Sequence, residues 1–464
     1  MKVCFVDHLW VEKLGIMQLI AALRRAGHDC AYVLDDDVRR VRRAVAAERP
    51  DVVCFSVTTG MHTWALEVAA DLKRTLGVTT FFGGPHTTYF PNTVEHSAVD
   101  YLCVGEGDRA CVEAIDALSR RETPRAVAGI HGKGFQNPVG RLEEKLDDLP
   151  WADREVIYRY EFMRKSPFKS FVVSRGCPYH CSFCYIDAER ELYKGKGKFV
   201  RFRSPESTID EIEWVHQKWG IQLVSFEDDL LTINRKWMFR FCDQYARRLR
   251  IPFNLNARAD DLDEPMCEAL ADAGAWCVAF GVESGDEQMR NKVLNKDLDD
   301  QTIISAGARL HKHGIKFLTY NMVGLPGESI DMALKTIELN RRIGADLCRY
   351  TLYEPYAGTK LSDDLVQSGA FIEQSGSSSF NQYLTSPLKG PQSRELQNLQ
   401  KFFYLLVKIP QLEPLIKRLI RLPPNAAFTA VFWATYASVL RKYLMLSYPR
   451  LLQLGARSVR HWFQ

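Results

Sequence analysis

The chain of 464 residues has no apolar run long enough to span a bilayer. Its apolar stretch AAFTAVFWATYASVL, residues 426–440, is fifteen residues long and ends at Arg441, short of the twenty or so that a bilayer core requires. The opening segment MKVCFVDHLW has neither a long apolar core nor a small-residue cleavage pattern, so it reads as a first strand rather than a secretory leader. Strong charge of one sign is also missing. With 61 basic and 57 acidic residues the formal net charge is +4, too weak an asymmetry to indicate a nucleic-acid binder. No disulfide framework shows in the spacing of the twelve cysteines. Most are scattered through apolar segments, as Cys54 in PDVVCFSV and Cys277 in GAWCVAFGVE, where they read as small buried hydrophobes. That usage predicts a reducing, cytoplasmic setting.

What the chain does have is SRGCPYHCSFCYIDAER at residues 174–190, with Cys177, Cys181 and Cys184 inside eight positions. Structural zinc wants four ligands, and no second pair follows nearby. A [4Fe-4S] cubane can be held by three thiolates, leaving one iron open to a small molecule with amino and carboxylate donors. The spacing alone leaves a partial zinc site or a chance group of thiols as alternatives. His180 lies between two of the cysteines, and in a cubane that leaves one iron open it is not a ligand. Tyr179 and Phe183 read as shields that limit oxidation and tune the potential. Lys194, Lys196 and Lys198 in YKGKGKF read as a solvated loop.

Strand and helix signals alternate along the first 125 residues. KVCFV, CAYVLD, DVVCFSVTT, VTTFFGGPH and VDYLCVGEGD are separated by amphipathic segments such as GIMQLIAALRRAG and WALEVAADLKRTLG. This rhythm predicts a doubly wound parallel sheet. Ligands in such folds favour the crevice beyond the carboxyl ends of the strands. Three turns would meet there, carrying Ser56, Thr58 and Thr59, then Gly83, Gly84, Pro85 and His86, then Gly105, Glu106 and Gly107. Residues 126–169 read as a connector with a hairpin-like GIHGKGFQNPVG. From 170 to 362 a second alternation, through QLVSFEDD, FNLNARAD, WCVAFGVES, KFLTYNMVG and LCRYTLYEP, predicts a complete or partial β/α barrel. The expected fold class is thus α/β, with the doubly wound sheet, then the barrel, then a mainly helical region over 363–464. IEQSGSSSFNQYL reads as a loop. Residues 401–464 hold ten Lys or Arg and one acidic residue, Glu413. Helices packed over the barrel opening are the first reading of this tail, and a peripheral membrane face with basic flanks is the second.

CPYHCSFC resembles the CxxxCxxC signature of the radical S-adenosylmethionine (SAM) superfamily, including the aromatic Phe183 before the last cysteine. The resemblance runs on over about 171–362. SFEDDLLT, with Glu227 and Asp228, resembles the acidic strand beside the methionine moiety of SAM. NARAD places Arg258 where such enzymes hold the SAM carboxylate. VAFGVESG places Glu283 and Ser284 at ribose and amino-group contacts. NMVGLPGES, with Gly324, resembles the motif lining the adenine site. YEPYAGTKL resembles the closing PxPGT pattern with Ala357 in place of proline. Arg258 and the acidic trio also have simpler readings: Arg258 neutralising Asp260, and Glu227, Asp228 and Asp229 capping the next helix. The N-terminal region, through AALRRAGHDCAYVLD, PDVVCFSVTT, FFGGPHTTYFP and VDYLCVGEGD, resembles the cobalamin-binding domain that precedes many radical SAM cores. It lacks that domain's DxHxxG pattern. Asp7-His8 matches it only in part, with Gly15 too distant.

The resemblance implies a [4Fe-4S] cluster on Cys177, Cys181 and Cys184, SAM, and cobalamin at the three turns. It implies a low-potential donor such as a flavodoxin, a small-molecule substrate, and no nucleic-acid partner. The expected activity is a cobalamin-dependent methyl transfer to an unactivated centre of a small or medium metabolite. The alternative is a radical SAM enzyme without cobalamin that transfers the aminocarboxypropyl fragment of SAM or carries out a rearrangement or cyclisation.

Overall fold

The computed structural model describes residues 1–370, 383–386, 388 and 392–462. Most of the stretch expected as a loop, IEQSGSSSFNQYL, lies outside the described residues. The first sheet contains β1 (Lys2–Asp7), β2 (Asp29–Leu34), β3 (Val52–Ser56), β4 (Thr79–Gly83), β5 (Tyr101–Cys103), β6 (Ile130–Gly132) and β7 (Phe135–Gln136). Their order is β2-β1-β3-β4-β5-β6-β7. The first five strands run parallel, and β6 joins β5 antiparallel. Val3, Cys4, Phe5 and Val6 are all buried, because helices cover both faces of a parallel sheet and alternation disappears. The helix Leu14–Arg25 turns Ile16, Met17, Ile20 and Leu23 inward at helical spacing. His62–Leu76 starts two residues before the expected WALEV segment. GIHGKGFQNPVG does form a hairpin, β6–β7, but it extends the first sheet past residue 125 rather than standing apart.

The second sheet is built from β8 (Phe168–Phe171), β11 (Leu223–Phe226), β12 (Phe253–Ala257), β13 (Ala275–Glu283), β14 (Lys316–Val323) and β15 (Leu347–Leu352). All are parallel and ordered as in the chain, which makes an open half-barrel rather than a closed ring. The first barrel strand, FKSF, starts two residues before the expected boundary at 170. Ser174–Arg175, β9, leaves the sheet and pairs antiparallel with β10, Arg201–Phe202. The cysteine segment therefore springs from the carboxyl end of β8.

The tail covers the β15 edge with the helices Ser393–Lys408 and Ala426–Tyr443. Tyr350 of β15 stacks on Phe403 at 5.1 Å and meets Phe432 edge-on at 5.6 Å. Among the described residues no helix is long and apolar enough to cross a membrane.

Candidate active site

Gly176 starts the cysteine segment with φ +81°, and a Cβ there would stand 2.6 Å from the Phe199 carbonyl oxygen. The turn into Cys177 therefore needs glycine. Cys177, Cys181 and Cys184 are free and half-buried, and Cys184 immediately precedes the helix Tyr185–Leu192. Backbone groups of the segment are held from several sides. Arg190 donates to the carbonyls of Cys177 and Tyr179. Ser182 N–H donates to Leu294 O at 3.0 Å, and Asn295 Nδ2 to His180 O at 2.6 Å. His180 is exposed and its ring is taken up by Asp187, at 2.6 Å, and Arg190. Burial pushes all three thiols up, Cys184 to about 12. Loading a metal there must therefore release protons. Among the described residues no three His, Cys, Asp or Glu side chains are grouped to hold a single metal ion. Three thiols carried on one tightly held turn are a donor set that fits a cubane, in which each sulfur takes a different iron.

A cavity of about 420 Å³ lies between the domains. Its first-domain wall is Ser56, Gly83, Gly84, Pro85, Gly105, Glu106 and Gly107, with Leu14, Gly15 and Leu19 from the first helix. Its other wall is the segment 172–176, Tyr185, Ile186 and Glu189 beside the cysteines, and Glu227, Asp228 and Asp229 at the barrel edge. Gly84, at φ +98°, is required because a Cβ would lie 2.8 Å from both N and O of Val57. Space is open at Gly15, where a Cβ would meet no atom within 4 Å. Open space between glycine turns at strand ends suits a bulky planar ligand such as a corrin.

Thr58, Thr59 and His86 are not part of this wall, contrary to expectation. His86 is buried, stacked on His62 at 3.8 Å, with Thr59 Oγ1 3.2 Å from Nδ1 and Thr93 Oγ1 3.4 Å from Nε2. Burial and the neighbouring His62 push it down to about 3, so it stays neutral. No histidine lines the cavity. His8 lies instead against Trp64 at 4.2 Å, and Asp7 accepts from Lys13 at 2.8 Å.

Glu106, on the cavity wall, is engaged in ion pairs. It pairs with Arg175 at 3.0 Å and Arg201 at 2.5 Å, while Asp108 takes Arg175 at 2.6 Å. Arg175 directly precedes the cysteine turn, so the glycine turn of the first domain is clamped to the cysteine segment. Pairing with Arg175 holds the Asp108 carboxyl below the usual carboxylate range despite its burial. Neither arginine was anticipated as an anchor, since the pairing spans 67 to 95 residues of chain.

At the barrel edge Asp228 Oδ1 accepts from Val173 N at 2.9 Å and from Ser174 N at 2.5 Å, while its buried Oδ2 has no partner. Burial pushes this carboxyl up to about 7. Glu227 accepts from Ser225 Oγ at 2.8 Å and is also pushed up by burial. The trio does not cap the next helix. Asn234 does, accepting from Trp237 N at 3.2 Å.

Arg258, Glu283, Ser284 and Gly324 stand at the carboxyl ends of β12, β13 and β14, outside the cavity wall. Arg258 Nε donates to Asp260 at 2.9 Å and Nη2 to Asp297 O at 2.8 Å. Its guanidinium lies 3.9 Å over the ring of Tyr179, so it does pair with Asp260 and also abuts the cysteine segment. Glu283 sits at φ +62° where the register between β13 and β14 shifts, an unfavourable backbone for a carboxylate side chain. Its Oε1 accepts from Lys296 at 2.9 Å. That pair occupies the space beside Gly281, whose Cβ would collide with both side chains. Ser284 is fully buried, and its Oγ accepts from Asp286 N at 3.2 Å. Gly324, at φ +77°, donates its N–H to the buried Glu328 at 2.5 Å. Burial pushes Glu328 up to about 8. Lys296 and Glu328 were missed. GLPGES could have suggested Glu328, but nothing local marks Lys296.

The Radical SAM superfamily model matches residues 171–339, and the B12 binding domain model matches residues 8–115. An uncharacterized methyltransferase of Pyrococcus horikoshii is 27% identical over 372 residues, covering 77% of this chain and 79% of that protein. An anaerobic magnesium-protoporphyrin IX monomethyl ester cyclase of Rubrivivax gelatinosus is 23% identical, over 78% of this chain and 68% of that protein. Among solved structures, the cobalamin-dependent S-adenosylmethionine radical enzyme OxsB, with aqua-cobalamin and S-adenosylmethionine bound, aligns with a TM-score of 0.72. It is 16% identical over 99% of this chain and 75% of that one. The radical S-adenosylmethionine methyltransferase TsrM of Kitasatospora setae, with tryptophan substrate and a SAM analogue, aligns with a TM-score of 0.67. It is 17% identical over 83% of this chain and 80% of that one. The two structures show the shared fold.

Proposed function

We propose that this chain, a radical SAM enzyme carrying an N-terminal B12 binding domain, is a cobalamin-dependent methyltransferase acting on an unactivated centre of a small or medium metabolite. The observation that carries the reading is the shared cavity. Glycine turns of the first domain and the flank of the cysteine segment line one space, so a corrin on one wall would lie beside the radical chemistry of the other. When bound, the cluster with SAM supplies one-electron cleavage that opens an unactivated bond, and cobalamin supplies a methyl carrier.

The chain's own residues divide the remaining tasks. Cys177, Cys181 and Cys184 would hold three irons and leave the fourth for SAM. Arg258 would meet the SAM carboxylate, its guanidinium already fixed by Asp260, backbone carbonyls and Tyr179. Glu283 and Ser284 would serve the ribose and amino groups, and the Gly324 turn the adenine. Asp228 keeps one buried carboxylate oxygen without a partner, which suits a ligand hydroxyl or ammonium donor. Ser56, Gly83, Gly84, Pro85, Gly105 and Gly107 would border the corrin. Val172, Ile186, Leu14 and Leu19 supply apolar wall that keeps water from the reacting centre. A low-potential donor of the flavodoxin type would supply electrons.

The test is anaerobic turnover of methyl-labelled SAM by the reconstituted protein, with a flavodoxin system as reductant and candidate metabolites as acceptors. Label is expected in the product together with a bound corrin near unit occupancy. A product formed with all label retained in methionine would replace methyl transfer by rearrangement or cyclisation, the chemistry that the cyclase resemblance favours. Turnover without any corrin uptake would remove cobalamin from the reading.

A further inference from the structure

The half-barrel lumen holds a charge that the proposed machinery leaves unused. Along β15 the side chains alternate, and Tyr350 turns outward onto Phe403. Arg349 consequently turns to the opposite, inner face, level with Tyr320 of β14. Its side chain is exposed, although protein lies around it on every side. That combination marks a group facing an internal chamber rather than bulk water. Its Nη2 donates to Tyr383 Oη at 2.9 Å, and that phenol bonds Tyr436 Oη at 3.3 Å. Tyr320, Tyr356 and Tyr443 also lie within range of its charge. The chamber wall is thus one guanidinium among phenol rings, two of them contributed by the C-terminal helix Ala426–Tyr443.

The buried arginines of the chain each have a carboxylate. Arg154 has Glu211 at 3.4 Å, Arg201 has Glu106 at 2.5 Å, Arg258 has Asp260 at 2.9 Å, Arg290 has Asp300 at 2.7 Å, and Arg203 is paired with Glu211. Among the described residues no carboxylate lies within ion-pair distance of Arg349. Glu227 feels its charge from farther off, and Ser225 and Ser170 already donate to that carboxylate. A phenol is neutral at ordinary pH, so these rings leave the charge of the guanidinium without a counter-ion. A planar fork with spare donors facing an open chamber suits a carboxylate or phosphate. Aromatic walls suit an apolar or ring-bearing body.

We propose that Arg349 anchors an oxyanion of the substrate, carboxylate or phosphate, whose body packs against the tyrosines of the chamber. This rests on the reading of the barrel as the substrate's site and specifies the substrate class.

The test titrates the anaerobically reconstituted full-length enzyme with benzoate, phenyl phosphate and neutral benzamide, read by ligand-observed NMR. Wild type is expected to bind at least one anion about tenfold tighter than benzamide, the size of one charged hydrogen bond. Benzoate ahead of phenyl phosphate identifies a carboxylate, and the reverse order a phosphate. Arg349→Gln is expected to abolish the preference, and Arg349→Lys, which keeps the charge without the fork, to retain part of it. Iron content and circular dichroism check that each variant folds, and the lysine variant carries the comparison if the glutamine variant does not. Wild type binding neither anion better than benzamide overturns the inference, as does a variant that keeps the full preference. Binding is read without turnover, so a failed preference leaves methyl transfer standing, and a failed methyl transfer leaves the preference measurable.

Discussion

His86 is held neutral between Thr59 and Thr93 with His62 stacked on its face. Its folded value near 3 lies below the 6.5 expected once the chain unfolds. Between those values the unfolded state binds the extra proton, so stability rises with pH through that window and is lost as pH falls below 6.5. At pH 5 the loss from this group amounts to about 2 kcal/mol. His86→Phe, which keeps a ring in the stack, should therefore show a smaller drop in urea stability between pH 7.5 and 5 than wild type. Equal drops in the two proteins would assign the acid sensitivity elsewhere. The same residue shows why some contacts were legible and others not. Cys177, Cys181 and Cys184 could be read as a ligand set because their spacing alone puts three thiols on one turn. GGPH could be read as a turn, but whether His86 faced the crevice or the core depended on His62, contributed by another helix. Of the two readings of Arg258, the structure shows the pairing with Asp260, which leaves the guanidinium against Tyr179.

At the scale of the element, strand and helix types were legible from periodicity, and their edges depended on partners. FVVSRG is one unbroken stretch in the sequence, with no turn signal before Gly176. The structure divides it because β8 pairs with β11 through Phe171, whereas Ser174–Arg175 pairs with Arg201–Phe202. Hydrophobic period alone does not choose between two partners. The stretch AAFTAVFWATYASVL shows the same dependence. Its apolar content fitted either a membrane face or a barrel cover, and in the structure its helix packs against β15. Phe432, fully buried, stacks on Tyr436 at 5.6 Å and meets Tyr350 of β15, while Lys401 lies 5.0 Å from its ring. Truncating such a ring removes its transfer free energy and opens a cavity. Phe432→Ala should cost about 3–5 kcal/mol in chemical denaturation. A loss under about 1 kcal/mol would show that the helix adds little to the barrel.

At the scale of the molecule, the two sheets are joined by charges that no local pattern announces. Arg154, fully buried, lies 3.6 Å from Glu12 of the first domain and 3.4 Å from Glu211 of the barrel. Arg175 reaches Glu106 and Asp108 across the cavity rim. Sequence separation hides such pairs, yet they fix how the corrin-side turns face the cysteine segment. Arg175→Met keeps most of the side-chain volume and removes the charge. Glu106 would retain Arg201, whereas Asp108 would be left buried without its cation. Breaking a buried pair by removing one partner costs about 3–5 kcal/mol, chiefly the uncompensated charge. The loss falls on the junction and not on either core, so it should also weaken the coupling between domains. Wild type is expected to unfold in one transition, and Arg175→Met in two, the earlier one accompanied by proteolytic cutting within the connecting residues 137–153. Adding Asp108→Asn removes the stranded charge and should recover part of the stability without restoring the coupling. If Arg175→Met unfolds in a single transition at the wild-type midpoint, the junction is held by Arg154 and apolar contact, and the clamp at the glycine turn is dispensable.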